Sequence, residues 1–83
     1  MQTIAQTLNE KSTKYSYELN EVIKYVKGSK SIVLNIVKAH KKGTKRVFFA
    51  AATDNGLITS TLYGRKNEAV SLAKKYSQIV LNK

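Results

Sequence analysis

Two apolar segments separated by a short basic turn constrain the fold of this 83-residue chain more than any other feature. The first, at positions 32–37, is mainly aliphatic and β-branched, and the second, at 47–52, holds two phenylalanines and three alanines. The intervening residues 41–44 include a glycine and two lysines, a composition typical of a turn. Strand-forming residues on both sides of a turn predict a β-hairpin, with strands over 31–39 and from 45 or 46 to 53.

Asn55-Gly56 is the strongest short-range turn signal in the chain, because this pair tolerates the positive φ of a tight hairpin. It predicts a third strand over 57–63, which is rich in threonine and is ended by Gly64. Asn35 is the one polar residue inside the first apolar segment. Its face of the sheet is therefore expected to be exposed, or its amide to be paired with another polar group.

An amphipathic helix is predicted over 66–81, with Asn67 as its candidate N-cap and Glu68 favourable in its first turn. The apolar side chains recur at helical spacing and are expected to pack on one face of the sheet. This stripe consists of Ala69, Leu72, Ala73, Tyr76, Ile79 and Val80.

The N-terminal third has two interpretations. Five apolar residues at helical spacing, followed by Gly28 at the position of a helix C-terminal glycine, predict a helix over 14–27. The alternative is a strand, because Tyr15, Tyr17 and Leu19 alternate with polar residues. Residues 1–13 join this element, form a separate helical segment or fray, and the pattern does not choose among the three.

The expected fold is therefore a single α+β domain over residues 1–83, with element order α–β–β–β–α. Its three-stranded antiparallel sheet carries the C-terminal helix on one face. A chain this short has room for one domain only. It contains no cysteine, which excludes disulfides, thiol catalysis and cysteine-ligated metals.

Catalytic residue types are scarce, since the chain has a single histidine, His40, and a single aspartate, Asp54. His40 has no acidic residue near it in the sequence, and acid–base or nucleophilic catalysis needs partners within hydrogen-bonding reach. The glycines match neither a P-loop nor a dinucleotide-binding motif. We therefore expect a protein that is not an enzyme and that uses no metal or other cofactor.

Positive charge is concentrated in residues 22–53, which carry eight basic side chains and no acidic one, within a net charge of +10. Such segregation attracts polyanions. Four cations and exposed backbone N–H groups at the tip of the hairpin are expected to contact phosphates, and a second site is expected where the last helix begins. The predicted nucleic-acid-binding residues are Lys38, Lys41, Lys42, Lys45, Arg46, Arg65 and Lys66.

The second half of the chain resembles double-stranded RNA-binding domains. The resemblance lies in Lys45-Arg46-Val47-Phe48-Phe49, in Asp54-Asn55-Gly56, and in the run from Gly64 through Arg65 and Lys66 to Ala73. In that family, the loop between the first two strands and a lysine cluster opening the last helix contact RNA. The resemblance implies the same roles here for residues 40–46 and for Arg65 and Lys66.

Two functions of different classes follow. The first is a nucleic-acid-binding module that grips phosphates of duplex RNA or DNA with little sequence specificity. The second is a small virus- or mobile-element-type inhibitor or adaptor that docks on an acidic or nucleic-acid-binding surface of a partner protein. Tyr17 and Tyr25, expected to be exposed, are its candidate anchors. Homodimerisation through a strand edge or the N-terminal helix is a third interpretation.

The expected location is cytoplasmic. The N-terminal residues have no basic and apolar regions of the kind found in signal peptides. The longest apolar run, at 47–52, is far shorter than the roughly 20 residues that a membrane span needs, so no membrane association is expected.

Overall fold

A computed structural model describes residues 4–83. A four-stranded antiparallel sheet, in the order β1-β2-β3-β4, lies between a short N-terminal helix and a longer C-terminal helix. The α+β class, the antiparallel sheet and the packing of the C-terminal helix are confirmed, but the sheet has four strands rather than the predicted three. The elements are α1 (Ile4–Lys11), β1 (Tyr15–Lys27), β2 (Lys30–Lys41), β3 (Val47–Thr53), β4 (Gly56–Leu57) and α2 (Lys66–Leu81).

The predicted helix over 14–27 is wrong, because this segment is β1, the edge strand of the sheet. Lys27 pairs with Lys30 across a two-residue turn in which Gly28 has φ 61°. Glycine at the first central position with positive φ is the requirement of a type II′ turn, which matches the twist of a hairpin. Gly28 therefore ends a strand with the same conformational freedom that a helix C-terminus would have used.

A β-bulge explains why β1 resembles a helix in sequence. The register with β2 shifts between Leu19 and Glu21, so Leu19 and Val22 lie on the same face although they are three residues apart. The apolar residues before and after the bulge thus acquire the spacing of a helical stripe. The alternative strand interpretation, based on Tyr15, Tyr17 and Leu19, is the correct one.

The third predicted strand, over 57–63, is reduced to the short β4 and one isolated bridge between Tyr63 and Phe49. The residues between them bend back on themselves, and the Thr61 N–H donates to the Thr59 hydroxyl at 3.3 Å. Local side-chain bonds of this kind compete with a sheet ladder. Gly56 has φ 149°, and it pairs with Thr53 after a turn centred on Asp54 and Asn55.

Helix α2 covers the sheet face that carries Leu34, Ile36 and Ala51, called here the α2 face. Its closest residues are Ala69 and Ala73, both fully buried, because small side chains let the helix lie near the strands. The predicted stripe is therefore rotated, and Ile79 is 62% exposed while Ser77 is buried. Asn67 is not the cap either, since the N-cap is Arg65, which makes no side-chain capping bond.

Helix α1 lies on the opposite face of the sheet, the α1 face, where Ile4 and Leu8 pack against Val37, Ala50 and Ala52. Of the alternatives for residues 1–13, a separate helix is correct for 4–11, and residues 1–3 lie outside the described part. Asn35 is also on this face, where it is buried and its Nδ2 donates to Asp54 Oδ1 at 3.0 Å. The expectation that the Asn35 amide is paired is confirmed.

Half of the long hairpin extends beyond β3. Residues 35–40 of β2 pair with β3 on one side, whereas residues 30–34 pair only with β1. This two-stranded part, the hairpin arm (residues 23–34), has α2 on one face. Its α1 face continues an apolar patch of partly exposed side chains, and that patch consists of Leu19, Val22, Val26 and Val33.

Candidate functional site

The basic loop between β2 and β3 is held by its own hydrogen bonds. The Thr44 hydroxyl donates to the Lys41 carbonyl at 3.0 Å and accepts from the Arg46 N–H at 3.2 Å. The Lys41 N–H donates to the Arg46 carbonyl at 3.1 Å, which closes the loop, and Gly43 supplies the positive φ of 82°. The loop is therefore an ordered turn that presents cations from a fixed backbone.

Lys14 joins these loop cations although it is distant in sequence. Its carbonyl accepts a hydrogen bond from the Lys42 N–H at 2.9 Å, next to the cross-strand pair of Tyr15 and Lys41. Lys14 is not among the residues predicted from the sequence, because a helix over 14–27 places it away from the loop. The cluster, called here the basic pole, consists of Lys14, Lys41, Lys42, Lys45 and Arg46.

The basic pole offers side-chain charge more than backbone donors. The N–H groups of Lys41, Lys42, Thr44 and Arg46 all bond within the protein, so most backbone donors of the hairpin tip are not available to a ligand. None of its five cations forms an ion pair within the described residues 4–83. Four of the five are exposed and Lys41 is half-buried. Charge concentrated this way attracts anions through long-range electrostatics.

Two of the predicted phosphate-binding lysines already have acidic partners. Lys38 Nζ lies 3.8 Å from Glu18, and Lys66 Nζ lies 3.0 Å from Glu21. Both pairs are partly exposed, with 39% and 41% of the lysine side chains accessible, so each contributes at most about 1 kcal/mol. Arg65 is exposed and has no ion pair among residues 4–83.

The start of α2 does not join the basic pole. Lys66 contacts Glu21, which faces Ile36, whereas Lys41 lies five residues further along β2. At about 3.3 Å per residue, this separation is roughly 16 Å along the strand. The Glu18–Lys38 and Glu21–Lys66 ion pairs lie on the α2 face, between the start of α2 and the basic pole. The predicted phosphate-binding cations therefore form one group at the pole and another at the start of α2, separated by these two glutamates.

His40 acquires neighbours in the fold that its sequence position did not indicate. It pairs across the strands with Ser16, and a surface groove of about 230 Å³ brings it near Glu18 and Lys38. No side-chain hydrogen bond joins His40 to Ser16 or to Glu18, and Glu18 is held by Lys38. Ser16, His40 and Glu18 thus lie on one face as residue types of a nucleophile, a base and an acid. The side-chain hydrogen bonds that would couple them for catalysis are not formed.

Tyr17 and Tyr25 are half-buried rather than exposed, which corrects their expected placement. Tyr17 packs on the core of the α1 face and Tyr25 on that of the α2 face. Burial raises the pKa of Tyr17, and the adjacent Tyr15 raises it further. Burial also raises the pKa of Tyr25, with Glu21 adding to the effect.

Two aromatic rings border the basic pole on the α1 face. Tyr15 and Phe48 meet edge to face with ring centroids 6.2 Å apart, and both are half-buried. Phe49 points to the opposite face and packs with Tyr63 in the other core, as the alternation along β3 requires. The rings therefore support the pole and do not form an open stacking platform.

Within residues 4–83, no cluster of His, Cys, Asp or Glu could hold a metal ion. In the same part of the chain, no helix is long and apolar enough to cross a membrane. No family model, curated protein or solved structure matches this chain.

Proposed function

We propose that this protein is a nucleic-acid-binding module that grips phosphates of duplex RNA or DNA, with little dependence on sequence. The observation that carries the proposal is the basic pole, where five cations without an acidic partner in the described chain surround an ordered turn. Because the backbone of the turn is already ordered, binding to a regular array of phosphates costs little further backbone entropy. The pole is therefore suited to a repeating polyanion.

The chemistry of the pole favours phosphates over base edges. Four of its members are lysines, which act as hydrated point charges, whereas bidentate contacts to bases are made mostly by arginine. The aromatic residues next to the pole are half-buried, so stacking on unpaired bases has little surface available. Duplex contact through the backbone is the remaining mode.

The two ion pairs beside the pole adjust this interaction. Glu18 and Glu21 repel phosphates and also occupy Lys38 and Lys66. Because both pairs are partly exposed, an incoming phosphate competes with each carboxylate at small cost. The two glutamates thus restrict the surface that contacts the duplex to the basic pole. Lys38, Arg65 and Lys66 add secondary contacts when the duplex is longer.

The experiment is a fluorescence-anisotropy titration of a duplex at several salt concentrations. About five phosphate contacts give a log–log salt slope near −4.5, so binding weakens roughly 500-fold between 50 and 200 mM salt. Lys42→Ala and Lys45→Ala each flatten the slope by about one unit. Glu18→Gln and Glu21→Gln strengthen binding and steepen the slope.

Lys75→Ala is the matched control, because Lys75 is an exposed lysine on α2 and its loss changes the net charge equally. It leaves the slope unchanged if the pole is the contact surface. The proposal is overturned if Lys75→Ala weakens binding as much as Lys42→Ala. It is also overturned if no duplex is retained at 100 mM salt.

The protein is further proposed to lack catalytic activity. His40→Ala is expected to leave duplex binding and any cellular effect of the protein unchanged, since the His40 side chain has no hydrogen bond to Ser16 or Glu18. Loss of the cellular effect with binding and thermal stability intact would show that the groove beside His40 performs chemistry.

A further inference from the structure

The free edge of the sheet along β1 is capped near α1, where the Ser12 hydroxyl accepts a hydrogen bond from the Tyr15 N–H at 3.1 Å. Asn9 of α1 bonds both backbone groups of Tyr17, donating from Nδ2 to the carbonyl at 2.9 Å and accepting the N–H at 2.6 Å. An amide side chain therefore takes the place of a neighbouring strand at Tyr17. Beyond the bulge, residues 22–27 have no such cap among the described residues.

In this uncapped segment, every second residue directs its backbone N–H and C=O groups away from β2. Lys27 and Lys30 close the two-residue turn and bond each other, and paired residues alternate between bonding each other and bonding outward. Val22, Lys24 and Val26 consequently direct their N–H and C=O groups to the open side. This is the arrangement to which an added strand binds.

Side chains on the α1 face make the same edge apolar. Val22 and Val26 are 52% and 63% exposed, and Val33 of the neighbouring strand is 44% exposed. An added strand would cover these side chains with its own alternate residues. The edge of β2 is less suitable, because β3 already occupies it from Asn35 onward.

The charges beside the β1 edge indicate which side chains an added strand would need. Both carboxylates of β1, Glu18 and Glu21, are already paired with lysines. Lys24 stands between Val22 and Val26 on the α1 face, and no ion pair holds it in the described chain. On the α2 face, Lys27 and Lys74 line a groove of about 400 Å³ beside Tyr25 and Val26. The edge is thus apolar with uncompensated cations on both faces.

We infer that the edge of β1 over residues 22–27 binds an extended segment of a partner protein as a fifth strand. The segment alternates apolar residues, which cover Val22 and Val26, with carboxylates that reach the groove lysines. A second copy of this chain fits less well. Its edge carries the same Lys24 and Lys27, and each copy has a net charge of +10. The inference concerns a surface separate from the basic pole and stands independently of duplex binding.

The test uses the intact protein labelled with ¹⁵N and a capped peptide of about eight residues in which valine alternates with glutamate. The expected result is saturable binding with amide shifts confined to β1 and its neighbours. Hydrogen exchange at Val22, Lys24 and Val26 slows on binding. A peptide with N-methylated backbone nitrogens does not bind, and one with lysine in place of glutamate binds at least about tenfold more weakly.

Lys24→Pro removes one outward N–H from an edge position where proline is tolerated, and it weakens binding by about tenfold. Lys24→Thr separates the loss of charge from the loss of the donor. Val26→Thr weakens binding about fivefold, whereas Ile79→Thr, at a residue of nearly equal exposure on α2, has no effect.

Three outcomes overturn the inference. The first is equal binding of the glutamate and lysine peptides, and the second is binding that the N-methylated peptide reproduces. The third is protection of the β1 amides without peptide, increasing with protein concentration, which would assign the edge to a second copy. The peptide titration contains no nucleic acid, so its result does not depend on whether the protein binds a duplex.

Discussion

The two faces of the sheet carry similar side chains but are covered to different extents. On the α2 face, Leu34 and Ile36 are fully buried under a helix of 16 residues, about 24 Å long. On the α1 face, a helix of 8 residues, about 12 Å long, covers Val37 and leaves the hairpin arm uncovered.

Coverage by a helix, not residue type, decides which side chains are buried in this sheet. Val33 and Leu34 are adjacent and both aliphatic, yet their exposed fractions are 44% and 0%. Alternation sends them to opposite faces, and only one of those faces has a helix at that level. Stability should therefore depend mainly on the α2 face, while the α1 face of the hairpin arm is available to bind a partner.

The largest expected effect comes from truncating the α2 face. Leu34→Ala should lower the free energy of unfolding by about 2–5 kcal/mol, because it leaves a cavity beneath α2. Val33→Ala is the matched change on the α1 face and should cost less than about 1 kcal/mol. Chemical denaturation of both variants measures the difference. Equal losses would contradict the unequal coverage of the two faces.

A smaller effect is expected from enlarging a residue at the helix–sheet contact. Ala73 is fully buried between α2 and the strands, so Ala73→Leu should push the helix away and cost about 1–3 kcal/mol. Ser71→Leu, at an exposed position of the same helix, should be close to neutral. Thermal melts of the two variants compare them, and a stable Ala73→Leu protein would mean that α2 lies further from the sheet.

The polar contact of the α1 face should contribute less again. Asp54→Ala leaves the buried Asn35 amide without its acceptor and should cost about 1–2 kcal/mol. Asn35→Leu in the same background should recover much of the loss, because it removes the unsatisfied group. If the double variant is as unstable as Asp54→Ala alone, the turn rather than the hydrogen bond accounts for the effect.

The smallest expected effect is a decline of stability in alkali. Burial raises the folded-state pKa of Tyr17 and Tyr25, so the folded protein holds their protons more tightly than the unfolded chain. Their contribution is complete below the ordinary tyrosine pKa of about 10 and is lost as pH rises through the folded-state pKa. Denaturation between neutral and alkaline pH should show a shallower decline for Tyr17→Phe and Tyr25→Phe than for the parent protein.

Elements with one regular period were predictable from the sequence. The β2 strand is an apolar, β-branched run without a bulge and α2 follows a helical period, so the first and last residues of both elements are predicted to within two positions. The β1 strand was not predictable in this way, because its bulge converts a period of two into a spacing of three. Ile79 was misplaced for another reason: the close approach of α2 selects small residues, which hydrophobicity does not rank highly.

The candidate site was predictable as a charge density and not as a geometry. The loop cations follow from composition, and the fold adds Lys14 through a hydrogen bond between distant residues. The pairing of Lys38 with Glu18 depends on the register of β1, which a helix in that position would have prevented. Long-range register was thus the missing information in both cases.

The meander order of the sheet has a consequence for folding. Every strand pairs with its neighbour in the sequence, so each hairpin closes a short loop at low entropic cost. Hairpin formation takes about 1–10 μs, whereas α2 docks across the sheet only when residues 66–81 are present. During synthesis, Leu34 and Ile36 would therefore face water until α2 emerges. In that interval, mutual repulsion among the lysines of the hairpin would keep nascent chains apart.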